Sequence, residues 1–193
     1  MAGPSATVTA TAVLAGPGQI FTGAFGAAEP ADTAVNSAPA ASAWTDCGST
    51  NDGLMVTVNM DFFELEVDQV PDVVGRRLTK RDAQVSTNLA EGTLANLALT
   101  LNDSTSATGA GFASLTPAFG QSAMFPTSKA VIVDGWAPTT TTAKTRRFIA
   151  RKVMSISNVE TAYKKDGQYL LPVTFGAMYV DASTAPFKWI DAT

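Results

Sequence analysis

The sequence contains no histidine and only one cysteine, Cys47. Without histidine, neither a Ser-His-Asp nor a Cys-His catalytic arrangement can form, and zinc sites of the Cys/His kind lose nearly all their ligands. One cysteine cannot close an internal disulfide, so a disulfide-stapled secreted scaffold is excluded. Charge is also scarce. Only 16% of the 193 residues are charged, and the net charge is −4. A helical bundle would place many more Glu, Lys and Arg on its solvent faces. No Lys/Arg-rich stripe runs along the chain, which argues against direct nucleic-acid binding through phosphates, and no sequence-specific nucleic-acid binding is expected. No apolar run approaches membrane-spanning length, and Met1-Ala2-Gly3-Pro4 lacks the basic start of a signal peptide. The expectation is a soluble, cytoplasmically made protein. A GxxxxGK[ST] phosphate loop is missing, and Asp46 and Asp52 lack calcium-loop spacing. No cofactor or metal is therefore expected, and Cys47 reads as a small buried thiol.

What the sequence does contain is β-branched alternation. Thr7–Leu14 and Gln19–Phe25 read as strands joined at the Gly16-Pro17-Gly18 turn. Residues 26–43 are rich in Ala, Pro, Ser and Asp with no period, the mark of a long loop or arm that drapes over something else. Leu54, Val56, Val58 and Met60 alternate with Met55, Thr57 and Asn59, and Phe63, Leu65 and Val67 alternate with Glu64, Glu66 and Asp68. The second of these predicts a half-buried strand with one acidic face. Residues 69–82, with Pro71 and Gly75, read as a protruding loop or hairpin end, and Gln84–Asn88 as a returning strand. Asn88 and Glu91 have capping-box spacing, and Leu94, Leu97, Ala98 and Leu101 recur with helical period. One amphipathic helix is predicted at about 89–101. Residues 102–127 are Ser/Thr/Gly/Pro-rich with scattered Phe112, Phe119 and Phe125. Further strands are predicted at Ala130–Asp134, Arg146–Ser157 and Tyr169–Val180, with an Asp166-Gly167 turn before the last. In the 146–157 strand, Arg147, Ile149, Arg151 and Val153 are expected on one face. Phe148, Ala150, Lys152 and Met154 are expected on the other. The sum is a mainly β chain, a single domain over 1–193 built as a β-sandwich or barrel with one flanking helix.

Two charged groups are candidate sites. Glu64, Glu66 and Asp68 would sit about 7 Å apart on one strand face. That spacing also suits paired-carboxylate chemistry, but three like charges opposite an apolar face more often mark a solvated or lumen surface. Arg76, Arg77, Lys80 and Arg81 form a basic cluster whose readings are a solvated loop, or a surface that meets acidic groups of a neighbouring subunit.

Several stretches, in this order and spacing, resemble the major tail (tail tube) proteins of long-tailed phages of the siphophage type. They are Gly16-Pro17-Gly18, Trp44-Thr45-Asp46-Cys47-Gly48-Ser49-Thr50-Asn51-Asp52-Gly53-Leu54, Glu64-Leu65-Glu66-Val67-Asp68-Gln69, Lys80-Arg81-Asp82 and Asn88-Leu89-Ala90-Glu91-Gly92-Thr93-Leu94-Ala95-Asn96-Leu97-Ala98. The resemblance covers about half of the chain, from Gly16 to Leu101. It implies a structural virion protein of the tail and not an enzyme. It further implies hexameric rings stacked into a hollow tube, an inner β-barrel shared by six subunits, and DNA passing through the lumen at ejection. Implied partners are further copies of the chain, the tape measure protein and phage DNA within the lumen, and the tail terminator and tail tip proteins. On that reading Glu64, Glu66 and Asp68 are lumen candidates, because an acidic lining repels phosphates. Arg76, Arg77, Lys80 and Arg81, with residues 26–43 and 69–82, are candidates for contacts between subunits.

Two rival readings predict different surfaces. The tube of a contractile tail, or another tail component, would share the strand composition. A carbohydrate-binding or adhesin-like β-sandwich would gather exposed aromatics on one surface, with Trp44, Trp136 and Trp189 as the available indoles.

Overall fold

The computed structural model describes Leu14, residues 16–138 and residues 144–193. The strand expected at Thr7–Leu14, its hairpin partner role and the loop after Pro138 lie wholly or mainly outside the described residues. In chain order the elements are β1 (Gln19–Ala24), a 3-10 turn (Asp32–Ala34), β2 (Trp44–Asp46), β3 (Thr50–Val67), β4 (Val70–Leu89), α1 (Leu94–Thr100), β5 (Ser104–Gly109), β6 (Phe112–Pro117), α2 (Gln121–Met124), β7 (Lys129–Trp136), β8 (Thr145–Ser155), β9 (Leu171–Ala177) and β10 (Phe187–Asp191). The protein is mainly β, with antiparallel pairing in every ladder.

The strands run in the order β2-β1-β7-β8-β9-β4-β3, with β10 pairing β8 beside that path. β8 is the shared corner. Its first half, Arg146–Ala150, pairs with β10, and its second half, Val153–Ser155, pairs with β9. This divides the structure into two parts. In the first, β1, β7 and β8 are sealed on both faces. Ile20, Val131, Val133, Phe148 and Ala150 enter the main core, while Phe21, Ala130, Ile132 and Ile149 pack with Trp44 on the other side. Burial on both faces explains why Ala130–Val133 is a continuous apolar run instead of an alternating one. In the second part only one face is sealed. Ala83, Val85, Thr87 and Leu89 of β4 are buried, as are Leu171, Val173 and Phe175 of β9, and the residues between them are more open. That is the period of 2 expected of a sheet with one wet face.

The faces of β8 differ from the alternation read in the sequence. Lys129 pairs with Val153 but Val131 pairs with Ala150, so β8 carries an extra residue there. The bulge reverses the side-chain parity beyond it. Val153 therefore joins Phe148 and Ala150 in the main core instead of sharing a face with Ile149.

The helix is shorter than predicted and begins later. Asn88 and Leu89 remain in β4, paired with Pro172 and Leu171. Thr93 is the N-cap, and its hydroxyl accepts from the Asn96 amide at 3.1 Å. Glu91 is not in a capping box, because its carboxylate accepts from the Ser49 amide at 2.9 Å. The buried side of α1 is also different. Asn96 and Thr100 are buried, Leu97 and Leu99 pack on the core, and Leu94 and Leu101 stay exposed. Asn96 sets this rotation, since its amide donates to the carbonyls of Cys47 and Glu91, each at 2.9 Å. Residues 104–117, for which the sequence predicts no element, form the separate β5–β6 hairpin. Its Ser/Thr/Gly sequence has no apolar alternation to announce a strand.

Candidate functional site: a bare hairpin and a fastened arm

The β3–β4 hairpin dominates the exposed surface. Residues 70–82, read as part of a protruding loop or hairpin end, belong to a 20-residue strand paired with the 18-residue β3, and the turn is at Asp68–Gln69. Pro71 is compatible because it lies near the strand end, where a missing ladder donor costs little. The hairpin leaves the body of the protein. β9 pairs with β4 only as far as Gln84, and beyond that β3 is the pairing partner of β4. The Arg81 guanidinium lies 5.2 Å from the Phe187 ring centre, tying the hairpin base to β10. At about 3.4 Å per residue, the part beyond Met60 extends roughly 25 Å.

That distal part is apolar and uncovered. Met60, Phe62, Phe63, Leu65, Val67, Val70, Val73, Val74 and Leu78 are all exposed, Phe63 at 60%. Among the described residues, the half-buried strand expected at 63–68 is thus open on both faces. β3 alternates regularly from Leu54 to Leu65, so Glu64 shares a face with Leu54 and Val56, which pack on the main core. Phe63 and Leu65 continue the face of Met55, Thr57, Asn59 and Asp61.

The basic cluster splits between these faces. Asp61 pairs with Lys80 but Phe62 pairs with Leu78, leaving Thr79 as an extra residue in β4. The Thr79 hydroxyl closes the bulge by donating to the Asp61 carbonyl at 3.0 Å. Arg81 and Arg76 consequently share the face of Met60 and Glu64, while Lys80 and Arg77 share the face of Asp61 and Phe63. Arg76 bonds Glu64 at 2.9 Å with both side chains well exposed, 62% and 46%. Glu64 is therefore already partnered, and the acidic group is less uniform than the sequence implies. A second uncovered apolar region, Phe112, Met124 and Phe125, lies on β6 and around α2.

The arm over residues 26–43 behaves in the opposite way. It lies across the second face of β1, β7 and β8, with Val35 buried. Trp44 at its end packs among Phe21, Ile132 and Ile149, and its indole N–H donates to the Ala28 carbonyl at 2.9 Å. Arg147, 1% exposed, is the central fastener. It meets Asp134 through two bonds of 2.7 and 2.6 Å and donates to the Ser37 carbonyl at 2.8 Å. Glu29 accepts from Arg151 and, at 3.2 Å, meets Lys188, which also reaches Asp32 at 2.8 Å. The Arg151 hydrogen bond, helped by Lys188, holds the Glu29 carboxyl below its ordinary pKa despite partial burial.

Cys47 is buried, its thiol 3.6 Å from the Thr22 hydroxyl, and burial pushes its pKa up to about 11. It is therefore a poor nucleophile at neutral pH. Among the described residues no group of three or more His, Cys, Asp or Glu could hold a metal ion. The indoles do not form one exposed platform either, because Trp44 is interior while Trp136 and Trp189 are half-exposed. Trp189 instead packs on Phe148 and Phe187, with ring centres 4.7 and 5.3 Å away.

Comparison with known families supplies the biological setting. The sequence model of the family described as phage tail tube protein matches residues 6–193, nearly the whole chain. No curated protein matches it.

Proposed function

The chain belongs to the phage tail tube protein family, and from that premise we propose that it builds a tube as hexameric rings stacked end to end, the conduit for DNA ejection. It is a structural component of the virion tail. On this reading the tail is of the siphophage type. The tape measure protein and then DNA occupy the lumen, and terminator and tip proteins close the ends. The protein is made in the host cytoplasm before it assembles.

The observation that carries the reading is the distal β3–β4 hairpin. A two-stranded ribbon with apolar residues on both faces is marginal alone in water, and this one contains Phe62, Phe63, Leu65 and Leu78. Among the described residues, no strand pairs with the outer edge of β3. Both features are satisfied by further copies of the same chain. Their strands remove the open edge, and their surfaces cover the apolar faces. Arg76, Arg77, Lys80 and Arg81 then lie inside or beside that contact, where charge fixes register more than it adds affinity.

Electron microscopy of the purified protein across a concentration series tests this. Hollow tubes with six-fold end views are the expected result. A protein that stays monomeric throughout, with and without tail-tip proteins to initiate assembly, overturns it. Tubes of another rotational symmetry overturn the hexamer alone.

A further inference from the structure

Resting on the tube reading, we propose that the wall past which DNA moves is the polar face of β3, β4 and β9, carrying Thr57, Asn59, Asp61, Asp82, Gln84 and Thr174. Glu64 then faces the protein side of that sheet and not the channel.

The two parts of the fold differ in what covers their outer faces. The outer face of β1, β7 and β8 is sealed by the chain's own arm and Trp44. Among the described residues, no arm of that kind covers the outer face of β3, β4 and β9. Its cross-strand rows are Met55–Ser86–Thr174, Thr57–Gln84–Gly176, Asn59–Asp82 and Asp61–Lys80. Hydroxyl and amide side chains dominate these rows, and no aromatic side chain appears until Phe63. A face destined for a protein contact would present aromatic or arginine anchors. This one is suited to remain wet after assembly.

Edge geometry decides between the inside and the outside of a tube. The same strands carry the unpaired edge of β3 and continue into the apolar hairpin. If neighbouring copies remove that edge, the sheets join side by side into a closed barrel. The main core lies on one side of each sheet, with Val85, Leu89, Val173 and Phe175 pointing into it. The body of every subunit then lies outside the barrel, and the opposite, polar face looks at the axis. A polyanion on the axis meets hydroxyls, amides and the carboxylates of Asp61 and Asp82, with Lys80 as the cation in the rows. Such a wall offers little to hold phosphates. Glu64 is on the core side by strand alternation and is bonded to Arg76.

Cysteine reporters in assembled tubes test the orientation. Asn59→Cys and Glu64→Cys are labelled with a small maleimide and, separately, with a maleimide on a polyethylene glycol chain too bulky to enter the lumen. Cys47 is buried and stays silent. Asn59→Cys is expected to react with the small reagent and to exclude the bulky one. Glu64→Cys is expected to be protected from both in tubes and open to both in monomers. Reaction of Asn59→Cys with the bulky reagent, or with neither, overturns the proposal, as does the small-only pattern at Glu64→Cys. If Asn59→Cys fails to assemble, Gln84→Cys reports the same face, and a density map of the unmodified tube locates Asp61 and Asp82 directly. Absence of tubes from the unmodified protein counts against the tube reading. Tubes with the opposite face inward count against the wall assignment alone.

Discussion

The arm over residues 26–43 and the hairpin beyond Met60 both leave the sheet; the first reads in the sequence as a loop or arm draped over something else, and residues 69–82 of the second as a protruding loop or hairpin end. They end in opposite states. The arm carries few large apolar side chains, yet the protein's own body holds it through Arg147, Arg151 and Lys188. The hairpin is rich in Phe, Val and Leu, yet none of the described residues covers it. The difference shows that apolar content alone does not decide what is buried within a subunit. An irregular segment is held by a few well-placed donors that satisfy its carbonyls. A regular ribbon satisfies its cross-strand backbone groups internally, so it can project and leave its side chains for a partner.

Four substitutions sharpen or break this contrast. The largest effect is expected for Arg147→Ala, which leaves Asp134 without its bidentate partner and the Ser37 carbonyl without its donor. Breaking a buried pair this way should cost about 3–5 kcal/mol in denaturant unfolding of the monomer. A loss under about 1 kcal/mol would mean that the arm is not fastened there.

Next comes Phe62→Asp in the hairpin, on the face it shares with Met60 and Glu64. It should barely change monomer stability, within about 0.5 kcal/mol as for other exposed sites. Assembly should weaken by at least about 2 kcal/mol, a more than tenfold rise in the concentration needed for tubes by light scattering. Normal assembly of this variant would show that the hairpin is not covered by a copy.

A smaller effect concerns pH and Glu29. Its folded pKa is lowered, so its ion pairs stabilise the protein above the ordinary glutamate range. That contribution is lost as pH falls through the lower, folded value. Unfolding curves from pH 6 to pH 3 should therefore show a stability loss that is shallower in Glu29→Gln. Parallel curves would remove Glu29 from the set of fasteners.

The smallest effect is expected for Arg76→Ala. The pair with Glu64 is exposed in the monomer and should contribute no more than about 1 kcal/mol, less at high salt. A larger change measured on monomers would place the hairpin in contact with more of its own chain than the fold allows.

Much of the strand architecture was legible in the residues. Strand patterns located β3, the proximal half of β4, β8 and β9, and a short apolar run located β7, whose burial on both faces only the fold reveals. The missing histidine and single cysteine removed the ligands and bases that familiar catalytic triads and zinc sites need. The missed features share a cause, since each depends on a partner distant in sequence. Glu91 leaves the expected capping box for the amide of Ser49. Asn96 turns the helix by reaching the Cys47 carbonyl. Asn102 exchanges two hydrogen bonds with the Ser155 backbone, which fixes where the β5–β6 hairpin departs. Arg147 looked like an ordinary strand residue, and nothing in its neighbours signalled that it would be buried.

The candidate site divides along the same line. The sequence by itself determined that residues 63–68 alternate apolar with acidic and that four basic residues lie near 76–81, because side-chain period is a local property of a strand. Only the tertiary structure decided which face each one occupies. A single extra residue at Thr79 splits the basic cluster between two faces, and another in β8 reverses the order of its core residues. Bulges are set by how two strands meet, and that information is in neither strand alone.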